Sequence, residues 1–480
     1  MVRLITDTPQ YTNDIAEEIR MFLGFVPITA DETPETEWTI ETALLKTQCE
    51  ATARLLPDGE PVRMGYAFDA SDPLDQKRQE KRALKRAVYA LMQQIQPTEM
   101  PWGSLTGIRP TKLLRELGER VGEEEAVREF REVFSVRADK LRLAATINAV
   151  QKPILASVQA NDVDIYVGIP YCKTRCLYCS FGAELARKNA VEEYLPYLYR
   201  DIENGARLVS DGGYRVRAVY VGGGTPTVLS AAQLDELFHR FEAAYGGYGM
   251  ECTVEAGRPD TITREKLQVL RDHDVARISI NPQTMSDETL RRIGRAHTAK
   301  EIVDAFALAR SMGFDSINMD LIAGLPGETV ADMERTLSAI KALRPDNLTV
   351  HTLAIKRSSR LKERLEQYPL PSREDVETMI GMGFQTAKEI ELWPYYMYRQ
   401  KYQNGNLENV GYAADKKLCV YNVDMMEETT SILAHGAGAM TKRVFSGQNR
   451  VERIPNPKDV PTYGAKLDLL DRQKRDLFLL

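Results

Sequence analysis

Residues 163–179 read VDIYVGIPYCKTRCLYC. The first seven are a short apolar run rich in Val, Ile and Tyr that stops at Pro170, the pattern of a buried strand. Directly after it, Cys172, Cys176 and Cys179 fall within eight residues. Downstream the texture repeats. Further strand candidates lie at 217–221, 252–256, 277–280, 316–321 and 348–353, separated by helical patterns near 190–209, 231–244, 264–272, 299–312 and 330–343. Strands spaced by crossover-length helices pair in parallel through right-handed connections. The fold class is therefore α/β. Six such units are two short of a closed eight-fold barrel, so the sequence predicts a partial (βα)6 TIM-like barrel over residues 161–364.

Residues 1–160 read as an N-terminal α+β module, with helical spacing at Ile15, Ile19 and Phe22, strands at 39–45 and 63–68, and a charged helix at 76–94. That helix carries Lys77, Arg78, Lys81, Arg82, Lys85 and Arg86, but also an apolar side of Leu84, Val88 and Leu91. A solvated helix face explains these charges better than a nucleic-acid patch. The stretch 123–158 is helical and charged, as a connector would be. Residues 365–480 read as a mixed C-terminal cap on the substrate side, with a helix near 374–391, a Tyr-rich segment and GAGA at 436–439.

Composition excludes several classes. Net charge is −6 over 480 residues, with 43% hydrophobic and 28% charged residues, an ordinary globular balance with no field to gather nucleic acid or an anionic membrane. No apolar stretch approaches the ~18 residues of a membrane span, and no apolar region follows a basic N-terminal flank. A soluble, cytoplasmic protein is expected. Six cysteines are too few for a disulfide scaffold, and the scattered Cys49, Cys252 and Cys419 read as small buried hydrophobes. Oligomeric state is not legible.

A parallel barrel builds its site from the loops after the C-terminal strand ends. There the sequence places the cysteine triplet after the first strand and Gly222, Gly223, Gly224 and Thr225 after the second. Glu255 ends the third strand, Gln283 follows the fourth, Asp320 sits on the fifth, and LAIKR at 353–357 follows the sixth. Thiolates on one loop bind either zinc or an iron–sulfur cluster. A closed zinc site wants four protein ligands, yet the loop supplies three, and Cys252 is 252 − 179 = 73 residues beyond the last of them. Three thiolates can instead grip three corners of a four-iron four-sulfur cluster. The fourth iron is then open to an amine and a carboxylate, which the methionine part of S-adenosylmethionine offers. The glycines let backbone approach a ligand closely. Glu255 and Asp320 suit ribose hydroxyls, Arg295 suits a ligand carboxylate, and Gln283 suits a nucleoside. The five histidines show no metal-ligand spacing, and no phosphate loop or Ser/His/Asp arrangement is present.

The C-x3-C-x2-C loop with Tyr178, followed by GGGTPT, resembles the radical S-adenosylmethionine superfamily. YVGIPYC at 166–172, Glu255, residues 279–283, GRAH at 294–297 and DLIAGLP at 320–326 are similar to the oxygen-independent coproporphyrinogen III oxidases and their relatives. TGIRPTK at 106–112, LAIKR at 353–357 and YYMYRQK at 395–401 resemble the HemZ-type coproporphyrinogen dehydrogenase branch, which extends the likeness over most of the chain. The resemblance implies that Cys172, Cys176 and Cys179 hold a 4Fe-4S cluster. It implies that Tyr166, Tyr178, Gly222, Gly223, Gly224, Thr225, Glu255, Gln283, Arg295, Asp320 and Ala354 line the S-adenosylmethionine region, which some relatives extend with a second such molecule. A reductant such as flavodoxin or ferredoxin is expected to feed the cluster.

The implied activity is that of a radical oxidoreductase of porphyrin and haem biosynthesis. A 5′-deoxyadenosyl radical abstracts a hydrogen from a propionate of the tetrapyrrole coproporphyrinogen III, and loss of carbon dioxide and one electron leaves a vinyl group. Lys356, Arg357, Arg399 and Lys401 are candidate cations for the propionates. The chain departs from the family in three places. Phe181 stands where the decarboxylating oxidases carry a fourth cysteine, Asn281-Pro282 replaces Gly-Val, and Gly257-Arg258 interrupts the stretch after Glu255. A haem-binding chaperone that retains the cluster, or a radical enzyme that modifies or degrades haem, is the alternative expectation.

Overall fold

The computed structural model describes residues 1–24, 26–67, 73–180, 184–187, 189–356, 358–401, 404–445, 447–448 and 450–479. Phe181 and Arg357 lie outside the described residues, as does Phe68 at the end of the strand expected at 63–68. The chain divides into two compact units, Met1–Ala145 with Arg399–Glu408, and Thr146–Tyr398 with Asn409–Leu480.

The first unit carries a five-stranded sheet in the spatial order Ile28–Thr29, Val2–Thr6, Trp38–Leu45, Glu50–Leu56 and Val62–Gly65. Helices Thr12–Leu23 and Pro73–Ile95 bury Ile15, Ile19, Leu84, Val88 and Leu91 in one core with these strands. Several charges of the second helix are spoken for within the unit. Lys85 pairs with the buried Glu18 at 3.1 Å and Arg82 with Glu129 at 3.4 Å.

The second unit is built on one sheet whose eleven strands we number in chain order. They are β1 Asp162–Ile169, β2 Arg215–Gly223, β3 Glu251–Gly257, β4 Arg277–Ile280, β5 Ile317–Ala323, β6 Asn347–Thr352, β7 Trp393–Tyr398, β8 Asn409–Ala413, β9 Ser431–His435, β10 Met440–Phe445 and β11 Arg450–Pro455. Their spatial order is β7-β8-β6-β5-β4-β3-β2-β1-β9-β10-β11. Strands β1 to β6 pair in parallel with their neighbours, as the alternation with helices requires. The fold is an α/β partial barrel of six βα units. β1 and β4 are buried along almost their whole length; β1 accordingly reads as a mostly apolar run, whereas β4, Arg277-Ile-Ser-Ile, buries Arg277 and Ser279 as well.

The C-terminal segment contributes to the barrel sheet itself. It supplies strands to both edges of the barrel sheet: β8 pairs antiparallel with β6, and β9 pairs parallel with β1. An incomplete barrel leaves two strands with unpaired N–H and C=O groups, which invite a partner strand. The chain's own end takes both places.

Helices in the crossovers after β2, β3, β4 and β5 have a side-chain stop for their free N–H groups. Ser230, Thr263, Thr298 and Thr329 accept from the N–H of Gln233, Lys266, Glu301 and Asp332, opening helices Ala231–Tyr245, Arg264–Asp272, Ala299–Ser311 and Val330–Leu343. Such a cap contributes about 1 kcal/mol, and these fix where each loop over the strand ends finishes. No helix among the described residues is long and apolar enough to cross a membrane.

Candidate functional site

The cysteine loop is held from three sides. Tyr171 and Cys172 pair with Glu184 and Leu185 in a two-stranded ribbon. Leu177, between the second and third cysteines, is buried with Ile293, Ile322, Leu325, Leu353 and Leu361. The Leu177 N–H donates to Ile293 O at 2.9 Å, and the Leu361 N–H donates to Leu177 O at 2.9 Å. The third side is polar. Arg258, 3% exposed, donates through Nη1 to Thr174 Oγ1 at 2.6 Å and to Thr174 O at 3.2 Å. The Thr174 hydroxyl in turn donates to Gly294 O at 2.8 Å. The loop is therefore preset before any ligand binds, and Arg258, a departure from the family pattern, is one of its fasteners.

Cys172, Cys176 and Cys179 are half-buried, and none is in a disulfide. The Thr225 hydroxyl lies 3.5 Å from Cys172 Sγ, placed to donate to a thiolate. Burial pushes the Cys172 thiol up, while the Thr225 hydroxyl and the charges of Arg258 and Arg295 work against that rise. Gly224 lets the second strand's loop lie against the first: its N–H donates to Ile169 O at 2.7 Å, and a Cβ there would stand 2.3 Å from Tyr171 O. Gly223 has φ +106°, a conformation that L side chains rarely adopt.

Two carboxylates line the strand ends. Glu255 accepts from the Tyr220 hydroxyl at 2.7 Å. Burial lifts its carboxyl to about 7, and the neighbouring Asp320 adds to the rise against the Tyr220 hydrogen bond. Burial would lift Asp320 too, but His351 at 3.7 Å and the amide of Asn318 at 2.8 Å hold it below its ordinary value. At neutral pH Glu255 is thus about half protonated, while Asp320 is ionised. A raised carboxyl costs stability once the unfolded chain ionises and the folded one does not. Stability is therefore expected to fall as pH rises from about 4.5 to about 7, the two values for Glu255. Glu255→Gln should make that fall shallower, leaving the part due to Glu18 and Glu328, whose carboxyls burial also lifts to about 7, checked by denaturant midpoints of both proteins across the window. Parallel curves would show that Glu255 contributes nothing to the fall.

Arg295, 5% exposed, ties the remaining loops together. Its guanidinium donates to Asn281 O at 2.6 Å, Gly257 O at 3.3 Å and the Tyr178 hydroxyl at 3.4 Å. Gln283, at φ +68°, is locked to β5: its N–H donates to Asp320 O at 2.9 Å, and its carbonyl accepts from the Ile322 N–H at 3.0 Å. A non-glycine residue in that region stores strain, which clusters at functional sites. Tyr166 stacks on Tyr220 at 6.3 Å and on Tyr421 at 6.5 Å. Ala354 and Lys356 lie half-buried in the segment after β6.

Not every expected residue joins this group. Arg399 and Lys401 belong to the first unit. There the buried Arg399 guanidinium is turned onto the carbonyls of Leu105 and Gly107 and onto Asn406, and Lys401 pairs with Glu17 at 2.5 Å. Both charges hold structure in that unit. Conversely, Tyr220, Arg258 and His351 were missed. Tyr220 had a signal, since it stands two residues before Gly222 and so shares its side of β2. Arg258 had one too, in the Gly257-Arg258 interruption at the end of the third strand; His351 had none.

The site fits the expected cofactors. Its thiols are in no disulfide, its glycines leave room where side chains would collide, and two buried polar atoms, Asn281 Oδ1 and Arg258 Nη2, have no hydrogen-bond partner. Orphaned buried groups are costly and mark places where a ligand completes the bonding.

The Radical SAM superfamily model matches residues 166–340, which span β1 to the helix after β5. The chain is 36% identical over 443 residues to the oxygen-independent coproporphyrinogen-III oxidase-like protein HemZ of Bacillus subtilis, covering 90% of this chain and 88% of that one. The haem chaperone HemW of Bacillus subtilis is 34% identical over 193 residues, 40% of this chain and 50% of the chaperone. The crystal structure of the radical SAM coproporphyrinogen III oxidase HemN from Escherichia coli shares the fold, with a TM-score of 0.53 at 23% identity over 69% of this chain and 78% of that one. The cofactors are accordingly a four-iron four-sulfur cluster and S-adenosylmethionine. The chain belongs to the radical SAM superfamily, in the family of the oxygen-independent coproporphyrinogen-III oxidase-like HemZ proteins.

Proposed function

We propose that this radical SAM enzyme of the haem-biosynthetic family oxidatively decarboxylates coproporphyrinogen III propionates to vinyl groups without oxygen. The observation that carries the reading is the extent of the likeness: it runs through 90% of the chain to an oxidase-like protein, well beyond the barrel. When bound, the cluster and S-adenosylmethionine supply a one-electron reduction and a radical able to abstract hydrogen, which no side chain can. The chain's part is to bind, orient and exclude water. Cys172, Cys176 and Cys179 would hold the cluster, and Gly222 to Thr225 would present backbone to the methionine end. Glu255 and Asp320 would take ribose hydroxyls, Arg295 would fix the surrounding loops, and Tyr166, Tyr178, Gln283 and Ala354 would complete the walls. Lys356, whose ammonium pKa is lowered by burial, and Arg357 remain the proposed propionate cations. A flavodoxin or ferredoxin would supply the electron.

The second reading, a haem chaperone, is favoured by Phe181 in place of the oxidases' fourth cysteine and by the 34% identity to HemW over 193 residues. Anaerobic turnover of the reconstituted protein with reductant, S-adenosylmethionine and coproporphyrinogen III separates the two. Vinyl product formed together with 5′-deoxyadenosine is the expected result. Deoxyadenosine without porphyrin change would redirect the chemistry to haem, and neither product from cluster-loaded protein would favour the chaperone.

A further inference from the structure

The helices that follow β2 and β3 bring together side chains that the cysteine site does not use. On Ala231–Tyr245, Asp235, His239 and Glu242 stand at i, i+4 and i+7 and share one face. His273, the residue that ends Arg264–Asp272, closes against them. Its Nε2 lies 3.0 Å from Asp235 Oδ1, and His239 Nδ1 lies 3.4 Å from the same oxygen. One ligand atom from each of the three residues falls within 4.8 Å of the other two. Tetrahedral bonds of 2.0–2.1 Å separate neighbouring ligand atoms by about 3.3 Å, so both measured edges are within about 0.3 Å of that spacing.

We propose that Asp235, His239 and His273 form a second metal site, for a divalent transition cation such as Zn2+, with Glu242 as the carboxylate that orients His273. The His273 ring is fixed: it is 6% exposed, it stacks on Phe238 at 5.4 Å and 29°, and its Nδ1 lies 2.9 Å from Glu242 Oε1. Glu242 is itself held by the Tyr248 hydroxyl. A carboxylate on one ring nitrogen sets the tautomer and leaves the other nitrogen to the metal. That other nitrogen, Nε2, is the one facing Asp235. Asp235 and His239 are far more exposed, with 49% and 64% of their side-chain surface open. An ion can therefore enter from solvent, His239 can turn from the Asp235 carbonyl to meet it, and water can fill the fourth position. Two imidazoles and one carboxylate suit zinc and its neighbours, whereas magnesium and calcium prefer oxygen ligands throughout. No thiol takes part, so the site is separate in chemistry from the cysteine loop. Its effect would be to cross-link two helices that otherwise meet through side-chain packing and hydrogen bonds.

The test is a zinc titration of cluster-loaded enzyme, first stripped of loose metal, in competition with a chromophoric chelator. Iron and zinc are counted on the same sample, so that zinc on an empty cysteine loop is recognised by missing iron. One zinc per chain beyond a full iron complement, with a raised thermal midpoint, is expected. His239→Ala and Asp235→Asn should each weaken zinc binding by at least about 10-fold, and Glu242→Gln by about 10- to 100-fold, the usual cost of losing an orienting partner. Iron content should stay unchanged in all three. Zinc absent from iron-replete enzyme, or bound equally by His239→Ala and Asp235→Asn, would overturn the site. In that case His273 is only an ion-paired imidazolium between two carboxylates.

Discussion

Cys176→Ser is expected to leave a folded protein that holds no complete cluster and cleaves no S-adenosylmethionine. Serine oxygen is a hard, weakly acidic ligand, while iron–sulfur clusters are held by soft thiolates. The loop supplies three thiolates with none to spare, and the other two buried cysteines, Cys252 and Cys419, sit in the core with their thiols pushed up by burial. Folding should survive, because the loop is anchored by Leu177 and by the Arg258–Thr174 hydrogen bonds rather than by the cluster alone. Iron and sulfide content, the visible charge-transfer absorption and 5′-deoxyadenosine formation are the readouts. The loss of cleavage should exceed about 10³-fold, which corresponds to at least ~4 kcal/mol of transition-state stabilisation. Cys49→Ser, in the first unit, should change none of these. Full cluster content in Cys176→Ser would mean that the cluster is held elsewhere and would undo the site as described.

The barrel was legible because its strands are buried on both faces. A mostly apolar run such as 163–169 has strand character, and each crossover between β1 and β6 carries a helix of 9 to 22 residues. The cysteine loop was legible because its spacing is local. What escaped the sequence depends on partners distant in the chain. Residues 409–413 and 431–435 are five-residue strands whose identity comes from the open edges of β6 and β1. Nothing nearby in sequence announces those edges. Arg399 and Lys401 follow β7 closely, and adjacency suggested one shared site. The chain leaves the second unit at Tyr398 and returns at Asn409, and both cations find their partners during that excursion. The same distance effect hid the metal-ligating potential of the histidines: His239 and His273 are 273 − 239 = 34 residues apart, with no ligand spacing in sequence, yet their rings lie 4.6 Å apart.

Gly224→Ala, the addition of one methyl group, is expected to be nearly as damaging as the loss of a cluster ligand. Elsewhere such a change is mild or helpful, since alanine restricts the unfolded chain and stabilises by about 0.4–1 kcal/mol where the backbone permits it. At Gly224 the new Cβ would stand 2.3 Å from Tyr171 O and 2.8 Å from Tyr171 C. Neither backbone is free to retreat. Gly224 N–H donates to Ile169 O at 2.7 Å, and the next residue, Thr225, donates from its N–H to Tyr171 O at 2.8 Å. The Tyr171 side chain is 2% exposed and its hydroxyl donates to Ala190 O at 2.9 Å. Relief therefore requires breaking bonds that join the first two strand ends, at a cost of about 1–3 kcal/mol as for other overpacked sites. Tyr171 immediately precedes Cys172, so the displacement passes directly to the first cluster ligand. A shift of about 1 Å at a reacting geometry costs on the order of 10²-fold in rate. Cluster content per chain, the thermal midpoint and 5′-deoxyadenosine formation should fall together. Gly381→Ala supplies the contrast: this helical glycine has nothing within 4 Å of its would-be Cβ, so the variant should gain about 0.5–1 kcal/mol and keep its cluster. Wild-type midpoint and cluster content in Gly224→Ala would mean that the two loops can part without consequence, and the close approach at Gly224 would then have no role in placing Cys172.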